Sequence, residues 1–245
     1  MGCVEGLEDA EQIEDTDDET SSRVALNGLT ALNADMTYTL DPSLLQTLAQ
    51  GSLRTAATRV PTLFATAAGR DQFSYLYTCA EKSNAKLTVV APSGTAYTYN
   101  GSLGLATEWT SGALTQKKYG LMTACMLART NYFGEVVSIS MRNDKISTSS
   151  DEQEAFTVPE GAFWGDLFTG TVMRACTSAT KLSGASISTL PQRECTVSTD
   201  GATTKCGFGY AGECSTVCVT DLTKKNGYSK CEGHADSISV FVAAP

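Results

Sequence analysis

Hydrophobic and polar residues alternate along the first hundred positions in patterns that predict both strands and helices. Residues 36–40, MTYTL, alternate as the residues of a strand do. Asp41, followed by proline, is a typical helix start, so we expect a helix that continues through Ala49. The segments KLTVVA (86–91) and TAYTYN (95–100) flank a Pro-Ser-Gly turn and predict a β-hairpin.

A longer apolar pattern in residues 114–132 has the spacing of a helix. Its members form one stripe that we expect to be buried: Leu114, Leu121, Met122, Cys125 and Ala128. Residues 70–80 fit both a helix and a strand; we favour the helix, and expect Cys79 to meet Cys125. Residues 135–143 then alternate as a strand.

These elements predict an α+β fold, in which a disulfide-stapled globular body carries a cysteine-rich, loop-rich C-terminal segment. We divide the chain into an acidic disordered tether at residues 1–22, an α+β body at 23–190, and a cysteine-rich segment packed on the body at 191–245. The last segment ends in SISVFVAAP, which predicts a closing strand.

The negative charge of the chain is concentrated in the predicted tether. Residues 1–22 hold nine acidic residues and no Lys or Arg, so subtracting 9 from the 27 acidic residues leaves 18 against 18 basic residues. A like-charged run without aromatic residues cannot bury enough apolar surface to fold. Because the chain has no basic patch to contact phosphates, we expect no nucleic-acid partner.

The start of the sequence suggests a membrane anchor. Gly2-Cys3 resembles the last residue and the anchor cysteine of a bacterial lipobox, whose signal peptide would lie upstream. Myristoylation of Gly2 with palmitoylation of Cys3, and an incidental cysteine, are the alternatives. We favour the lipoprotein, and expect an extracytoplasmic location at the outer membrane or cell surface, lipid-anchored through Cys3 or secreted.

The remaining cysteines are even in number, which favours disulfides. Without Cys3, eight are left of nine: Cys79, Cys125, Cys176, Cys195, Cys206, Cys214, Cys218 and Cys231. Eight cysteines can form four bridges in about 105 connectivities, among which spacing alone does not choose. Five of them crowd into residues 195–231, a loop-rich segment of the kind that needs covalent bridges.

The stretch CGFGYAGEC, residues 206–214, allows three interpretations. It contains the Gly-x-Gly-x-x-Gly spacing of a dinucleotide-binding turn, but neither a preceding apolar strand nor a following crossover helix. It also contributes to a possible zinc site, whose ligands would be Cys206, Cys214, Cys218 and Cys231. We favour the third interpretation, disulfide-bridged loops in which glycines allow sharp turns, and expect no cofactor and no metal.

The segment DEQEAFTVPEGAFWGDLF, residues 151–168, holds the candidate catalytic groups. Glu160 and Asp166 could form an acid/base pair beside aromatic residues, as in glycosidases, with Trp164 or Trp109 stacking on a sugar. The alternative is that the aromatic side chains are core residues and the acids lie at their solvated edge, since aromatic residues are buried more often than they bind ligands.

Several segments together resemble a family of secreted, cysteine-rich lipoproteins of myxobacteria that has no assigned activity. The resemblance covers residues from about 70 to 245. The segments that carry it are FSYLYTCAEK, GSLGLATEW, LMTACMLARTNYFGEVVSISMRN, EGAFWGDLF and CGFGYAGECSTVC, with a later Tyr228-x-x-Cys231. The resemblance implies an extracytoplasmic compartment and disulfides, and it implies no reaction.

Two functions remain open from the sequence. The first is a cell-surface or secreted lipoprotein that acts as a binding, adhesion or structural module, with a membrane contact through its lipid and an unidentified surface ligand or protein partner. The alternative is an extracellular glycan- or cell-wall-acting hydrolase that uses Glu160. The sequence identifies neither the ligand nor the oligomeric state.

Overall fold

The computed structural model describes residues 25–27, 29–30, 41–170, 172–178, 193, 195–221 and 227–244. The predicted tether, the lipid-anchor candidate Cys3 and the predicted strand at 36–40 lie outside the described residues.

Seven α-helices lie in this part of the chain. They are α1 (Pro42–Ala49), α2 (Ala56–Arg59), α3 (Pro61–Ala65), α4 (Ala67–Ala80), α5 (Tyr119–Ala128), α6 (Ser150–Ala155) and α7 (Cys214–Val217). The Asp41 side chain accepts a hydrogen bond from the Ser43 N–H at 2.9 Å, which confirms the predicted start of α1. Helix α4 confirms the helical interpretation of residues 70–80.

Twelve strands are formed by the described residues. They are β1 (Ala25–Asn27), β2 (Leu29–Thr30), β3 (Lys86–Val90), β4 (Ala96–Asn100), β5 (Thr130–Asn131), β6 (Val137–Arg142), β7 (Val158–Asp166), β8 (Val172–Thr177), β9 (Gly209–Glu213), β10 (Val219–Asp221), β11 (Gly227–Ser229) and β12 (Ile238–Val242). The antiparallel pair β3–β4 is the predicted hairpin, and β6 confirms the strand expected within 135–143.

One six-stranded sheet organises the fold, in the order β1-β6-β12-β7-β8-β9. Its pairs are antiparallel except β8 with β9, which run parallel. The predicted closing strand is β12, which lies between β6 and β7 in the interior of the sheet. Strand β12 therefore joins two strands that end much earlier in the sequence, at Arg142 and at Asp166.

The two faces of the sheet contact different sets of side chains. Because side chains alternate along a strand, Phe163 and Ala175 pack into the main core with helices α4 and α5, on what we call the inner face. Ala162, Trp164 and Cys176 belong to a second cluster, on what we call the outer face. The alternation on β7 and β8 thus gives the protein two hydrophobic clusters.

Helix α5 is more deeply buried than one apolar stripe would make it. Every residue from Leu121 to Ala128 is buried, because α4 and the inner face of the sheet both pack against the helix. All five residues of the predicted stripe are buried, although Leu114 precedes the helix, which begins only at Tyr119. Within the helix, the residues between Leu121 and Ala128 are buried as well. No helix in the described part of the chain is both long enough and apolar enough to cross a bilayer.

All eight cysteines of the described residues form disulfides, in an α+β fold. The bridges are Cys79–Cys125, Cys176–Cys214, Cys195–Cys206 and Cys218–Cys231. The first bridge joins α4 to α5 and confirms the predicted meeting of Cys79 with Cys125.

Candidate functional site

Four cysteine sulfurs converge on the outer face of the sheet. Cys176 lies on β8 opposite Ala162 of β7, next to the buried Trp164. Its disulfide partner Cys214 begins helix α7, and the single turn of that helix brings Cys218 alongside, where the Cys218 N–H donates to the Cys214 carbonyl at 2.9 Å. Cys218 in turn bonds Cys231. We call these four residues the sulfur cluster.

The two disulfides of the sulfur cluster are in direct contact. The Sγ atoms of Cys176 and Cys218, which belong to different bridges, are 3.6 Å apart. The Sγ atoms of Cys176, Cys214 and Cys218 all lie within 4.8 Å of one another. Cys176, Cys214 and Cys231 are fully buried, whereas Cys218 is half-buried and is therefore the sulfur nearest to solvent.

The backbone on both sides of Cys231 adopts a conformation that residues other than glycine rarely adopt. Lys230 and Glu232 have positive φ angles of 49° and 46°, and both are non-glycine residues. The loop is held by three backbone hydrogen bonds: Glu232 N–H to the Val217 carbonyl at 2.7 Å, Gly233 N–H to Lys230 at 3.0 Å, and His234 N–H to Cys231 at 2.9 Å. Backbone strain of this kind persists only where the surrounding contacts impose it.

A polar chain borders the sulfur cluster. The Arg174 guanidinium donates to a Glu232 carboxylate oxygen at 2.8 Å, and the other oxygen accepts from the Trp164 indole N–H at 3.3 Å. Arg174 lies two residues before Cys176 on the same face of β8, and its Nε has no hydrogen-bond partner among the described residues. The site thus combines four soft sulfur atoms with one unpaired N–H donor of a cation.

The structure separates the two ends of CGFGYAGEC. Cys206 bonds Cys195, near the inner-face core, and Cys214 bonds Cys176 on the outer face. Cys206, one residue of the alternative zinc ligand set, therefore lies apart from Cys214, Cys218 and Cys231, and Cys176 joins those three residues instead. The Cys-x-x-x-Cys spacing indicated that Cys214 and Cys218 lie close together, whereas no sequence pattern indicated that Cys176 lies beside them.

The glycines of this stretch serve a bridged loop and not a phosphate cradle. Residues 209–213 form strand β9, so a strand occupies the position where a dinucleotide-binding motif would need its turn. Gly207 and Gly212 have φ angles of 85° and 96°, which explains why glycine stands at both positions. The predicted role of the glycines in sharp turns is confirmed at Gly207, whereas Gly212 lies within strand β9.

The two candidate catalytic carboxylates have separate structural partners. Glu160 is buried and accepts hydrogen bonds from Arg193, at 2.8 and 3.0 Å from Nε and at 2.6 Å from Nη2. Asp166 accepts from the backbone N–H groups of Phe168 and Thr169 at 2.9 and 3.1 Å. Glu160 is shielded from solvent and occupied by a guanidinium, so this geometry does not offer it to a substrate as an acid or base.

Both tryptophans proposed to stack on a ligand are core residues. Trp109 is fully buried, and its indole N–H points to the Leu48 and Gly51 carbonyls at 3.3 and 3.1 Å. Trp164 is fully buried within the second cluster. Neither ring presents a face to solvent, in agreement with the alternative that the aromatic residues of these segments form core. The other half of that alternative was wrong for Glu160, which is buried and does not lie at a solvated edge.

No family model, no curated protein and no solved structure matches this chain.

Proposed function

We propose that this protein acts outside the cytoplasm as a non-enzymatic binding, adhesion or structural module, held at a membrane surface by a lipid on Cys3. The observation that carries the proposal is that all eight cysteines of the described residues are bridged. Disulfides form and persist in oxidising compartments, and thiol reductants remove them in the cytosol of most organisms. This indicates an extracellular or otherwise oxidising environment.

The bridged segment supplies preorganised loops of the kind that a binding module needs. In the Cys195–Cys206 loop, the exposed Asp200 carboxylate accepts from the Ala202 and Thr203 N–H groups at 2.9 and 3.1 Å. These backbone hydrogen bonds, together with that of the Thr203 hydroxyl, lower the pKa of Asp200. A loop that is already ordered loses little conformational entropy when a partner binds, which favours recognition by these loops.

The buried pairing of Glu160 with Arg193 also favours a module without catalysis, since it occupies the carboxylate that a hydrolase would use. Purified protein should release no reducing ends from peptidoglycan or from soluble polysaccharides over a day, with an active glycosidase as positive control. Measurable hydrolysis that co-purifies with the protein would contradict the proposal.

The compartment and the anchor are tested by the intact mass of protein isolated from its native cells. We expect the unreduced chain to be eight hydrogens lighter than the reduced chain, for four disulfides, and the N-terminal peptide to carry a lipid on Cys3. A Cys3→Ser variant is the matched control and should leave the membrane fraction. Free thiols in the native protein, or an unmodified Cys3, would overturn the corresponding half of the proposal.

A further inference from the structure

The arrangement of sulfurs on the outer face has the dimensions of a metal site. In a tetrahedral thiolate complex of zinc the bonds are about 2.3 Å long, which places neighbouring sulfurs about 3.8 Å apart. The Sγ atoms of Cys176 and Cys218 are already separated by 3.6 Å, although no bond joins them. These two sulfurs therefore stand at the spacing of one edge of such a tetrahedron.

The other two sulfurs of the cluster are attached to this edge. Cys214 is bonded to Cys176, and Cys231 is bonded to Cys218. The Sγ atom of Cys214 lies within 4.8 Å of those of Cys176 and Cys218, so three sulfurs are already close together. Cys231, which is bonded to Cys218, approaches them only when its bridge is opened. The Cys214-x-x-x-Cys218 spacing, on one helical turn, is also within the range found in structural zinc sites.

The surroundings suit a bound cation with thiolate ligands. Three of the four sulfurs are fully buried, so a bound metal would be sheltered from water on most sides, while half-buried Cys218 provides an entry. Four thiolates around a divalent cation carry a net charge of −2. Arg174, two residues before Cys176, is a cation whose Nε–H has no hydrogen-bond partner among the described residues. A cationic neighbour favours the thiolate form of cysteine.

We infer that the sulfur cluster, after reduction of its two disulfides, is a four-thiolate site for a soft divalent cation of the zinc class. Two molecules of a dithiol reductant supply four electrons and four protons to the two bridges and are themselves oxidised to disulfides. The cation then displaces the four thiol protons as it bonds Cys176, Cys214, Cys218 and Cys231. The same four residues would hold the outer face together in oxidising and in reducing surroundings.

The test is a titration of the full chain, reduced with a phosphine under nitrogen, with Co²⁺ as a spectroscopic probe and then with Zn²⁺. We expect one Co²⁺ per chain, with thiolate-to-cobalt charge-transfer bands and the visible bands of tetrahedral Co²⁺, and displacement by Zn²⁺. Alkylation of the zinc-loaded chain, followed by peptide mass mapping, should find the four cluster cysteines protected. The other four, Cys79, Cys125, Cys195 and Cys206, should be alkylated.

Two single variants distinguish a built site from general thiol binding. Cys176→Ser should weaken Zn²⁺ binding by more than about 100-fold, because it removes a direct ligand. Cys206→Ser, which changes an equally buried cysteine of another bridge, should alter the affinity by less than about 3-fold.

The pattern of alkylated cysteines also tests the inference if the reduced chain is unfolded. Zinc held by an unfolded chain would protect all eight cysteines to similar extents, and that result would overturn the inference. Equal effects of Cys176→Ser and Cys206→Ser would do the same, as would the absence of Co²⁺ binding. Protection of the four cluster cysteines alone supports the inference, whether the metal binds a folded chain or induces its folding.

Discussion

At the residue scale, Glu160 and Arg193 form a buried ion pair that contacts the end of helix α5. Arg193 Nη2 donates to the Ala128 carbonyl at 3.1 Å as well as to Glu160. A buried pair contributes little net stability compared with apolar side chains of the same volume, but removal of one partner leaves an uncompensated charge. The pair therefore matters most when it is broken.

We predict that Glu160→Gln lowers the free energy of unfolding by about 3–5 kcal/mol, because it leaves Arg193 charged and buried. Urea denaturation measures the loss. Asp166→Asn is the matched control: an amide oxygen still accepts from Phe168 N–H, so a change below about 1 kcal/mol is expected. The double variant Glu160→Gln with Arg193→Met should recover part of the loss. Equal losses in Glu160→Gln and Asp166→Asn would refute the buried ion pair as the cause.

Tyr99 is a second residue whose environment has a measurable consequence. Its ring packs edge-on against Phe73, with centroids 4.8 Å apart, and its hydroxyl has no hydrogen-bond partner among the described residues. Burial raises the pKa of Tyr99 to about 12, although nearby Arg70 acts in the opposite direction. A buried hydroxyl without a hydrogen-bond partner lowers the free energy of unfolding, and removing the hydroxyl removes that destabilisation.

We predict that Tyr99→Phe leaves the protein as stable at pH 7, or more stable by about 1 kcal/mol. The pKa in the folded state lies above the ordinary value of about 10, so the unfolded chain loses its proton first as the pH rises. The wild type should therefore lose stability relative to Tyr99→Phe as the pH rises from about 10 towards 12. Urea midpoints of both proteins at pH 7 and pH 11 measure this, and parallel behaviour would argue against it.

At the element scale, helices α3 and α4 approach each other so closely that one residue has to be glycine. A Cβ atom on Gly69 would lie 2.1 Å from the Leu63 carbonyl oxygen, which belongs to the backbone of α3. Thr66, between the two helices, caps α4 by accepting from the same Gly69 N–H at 3.1 Å. The tight turn between the helices thus depends on the absence of a side chain at position 69.

We predict that alanine is tolerated at one of two helical glycines and not at the other. Alanine normally stabilises a helix by about 1 kcal/mol relative to glycine, but Gly69→Ala should destabilise by more than about 2 kcal/mol because backbone atoms must move. In Gly120→Ala the new Cβ meets the Asp236 carboxylate at 2.8 Å, and that side chain can rotate away. We expect a change within about 1 kcal/mol there. Thermal unfolding compares the two, and similar values would contradict the close approach.

At the scale of the whole molecule, disulfides constrain both sides of the sheet. Cys79–Cys125 joins two helices under the inner face across 46 residues of sequence, and Cys195–Cys206 closes a loop of only 11. The cysteine-rich segment contacts both faces. Phe208 packs against Phe163 in the main core at a centroid distance of 5.9 Å, and Cys214, Tyr228 and Cys231 belong to the cluster on the outer face. Long loops gain more from closure than short ones.

We predict that replacing Cys79 and Cys125 by alanine costs about 4 kcal/mol, and that replacing Cys195 and Cys206 costs about 3 kcal/mol, because the first bridge restricts a longer stretch of the unfolded chain. Unfolding of the two double variants in guanidinium chloride measures which of them loses more stability. A larger loss for the short loop would show that packing around Cys195 and Cys206, and not chain entropy, determines the contribution of the bridges.

Local signals predicted much of the secondary structure and little of the site. Asp41 with its proline predicted α1, and the Pro-Ser-Gly turn predicted the β3–β4 hairpin, because caps and turns involve residues a few positions apart. The candidate site was different: Glu160 pairs with a residue 33 positions away, and Trp164 with one 68 positions away. No local pattern encodes such partners.

The sequence by itself determined the α+β class and the main helices, since periodicity and capping are properties of neighbouring residues. Only the tertiary structure decided which cysteines pair, that Trp109 and Trp164 are buried, and that Cys176 joins Cys214, Cys218 and Cys231 on the outer face. The physical reason is that the pairing of cysteines and the burial of side chains depend on which face of the sheet each residue lies on. That is determined by the pairing of strands that are distant in sequence.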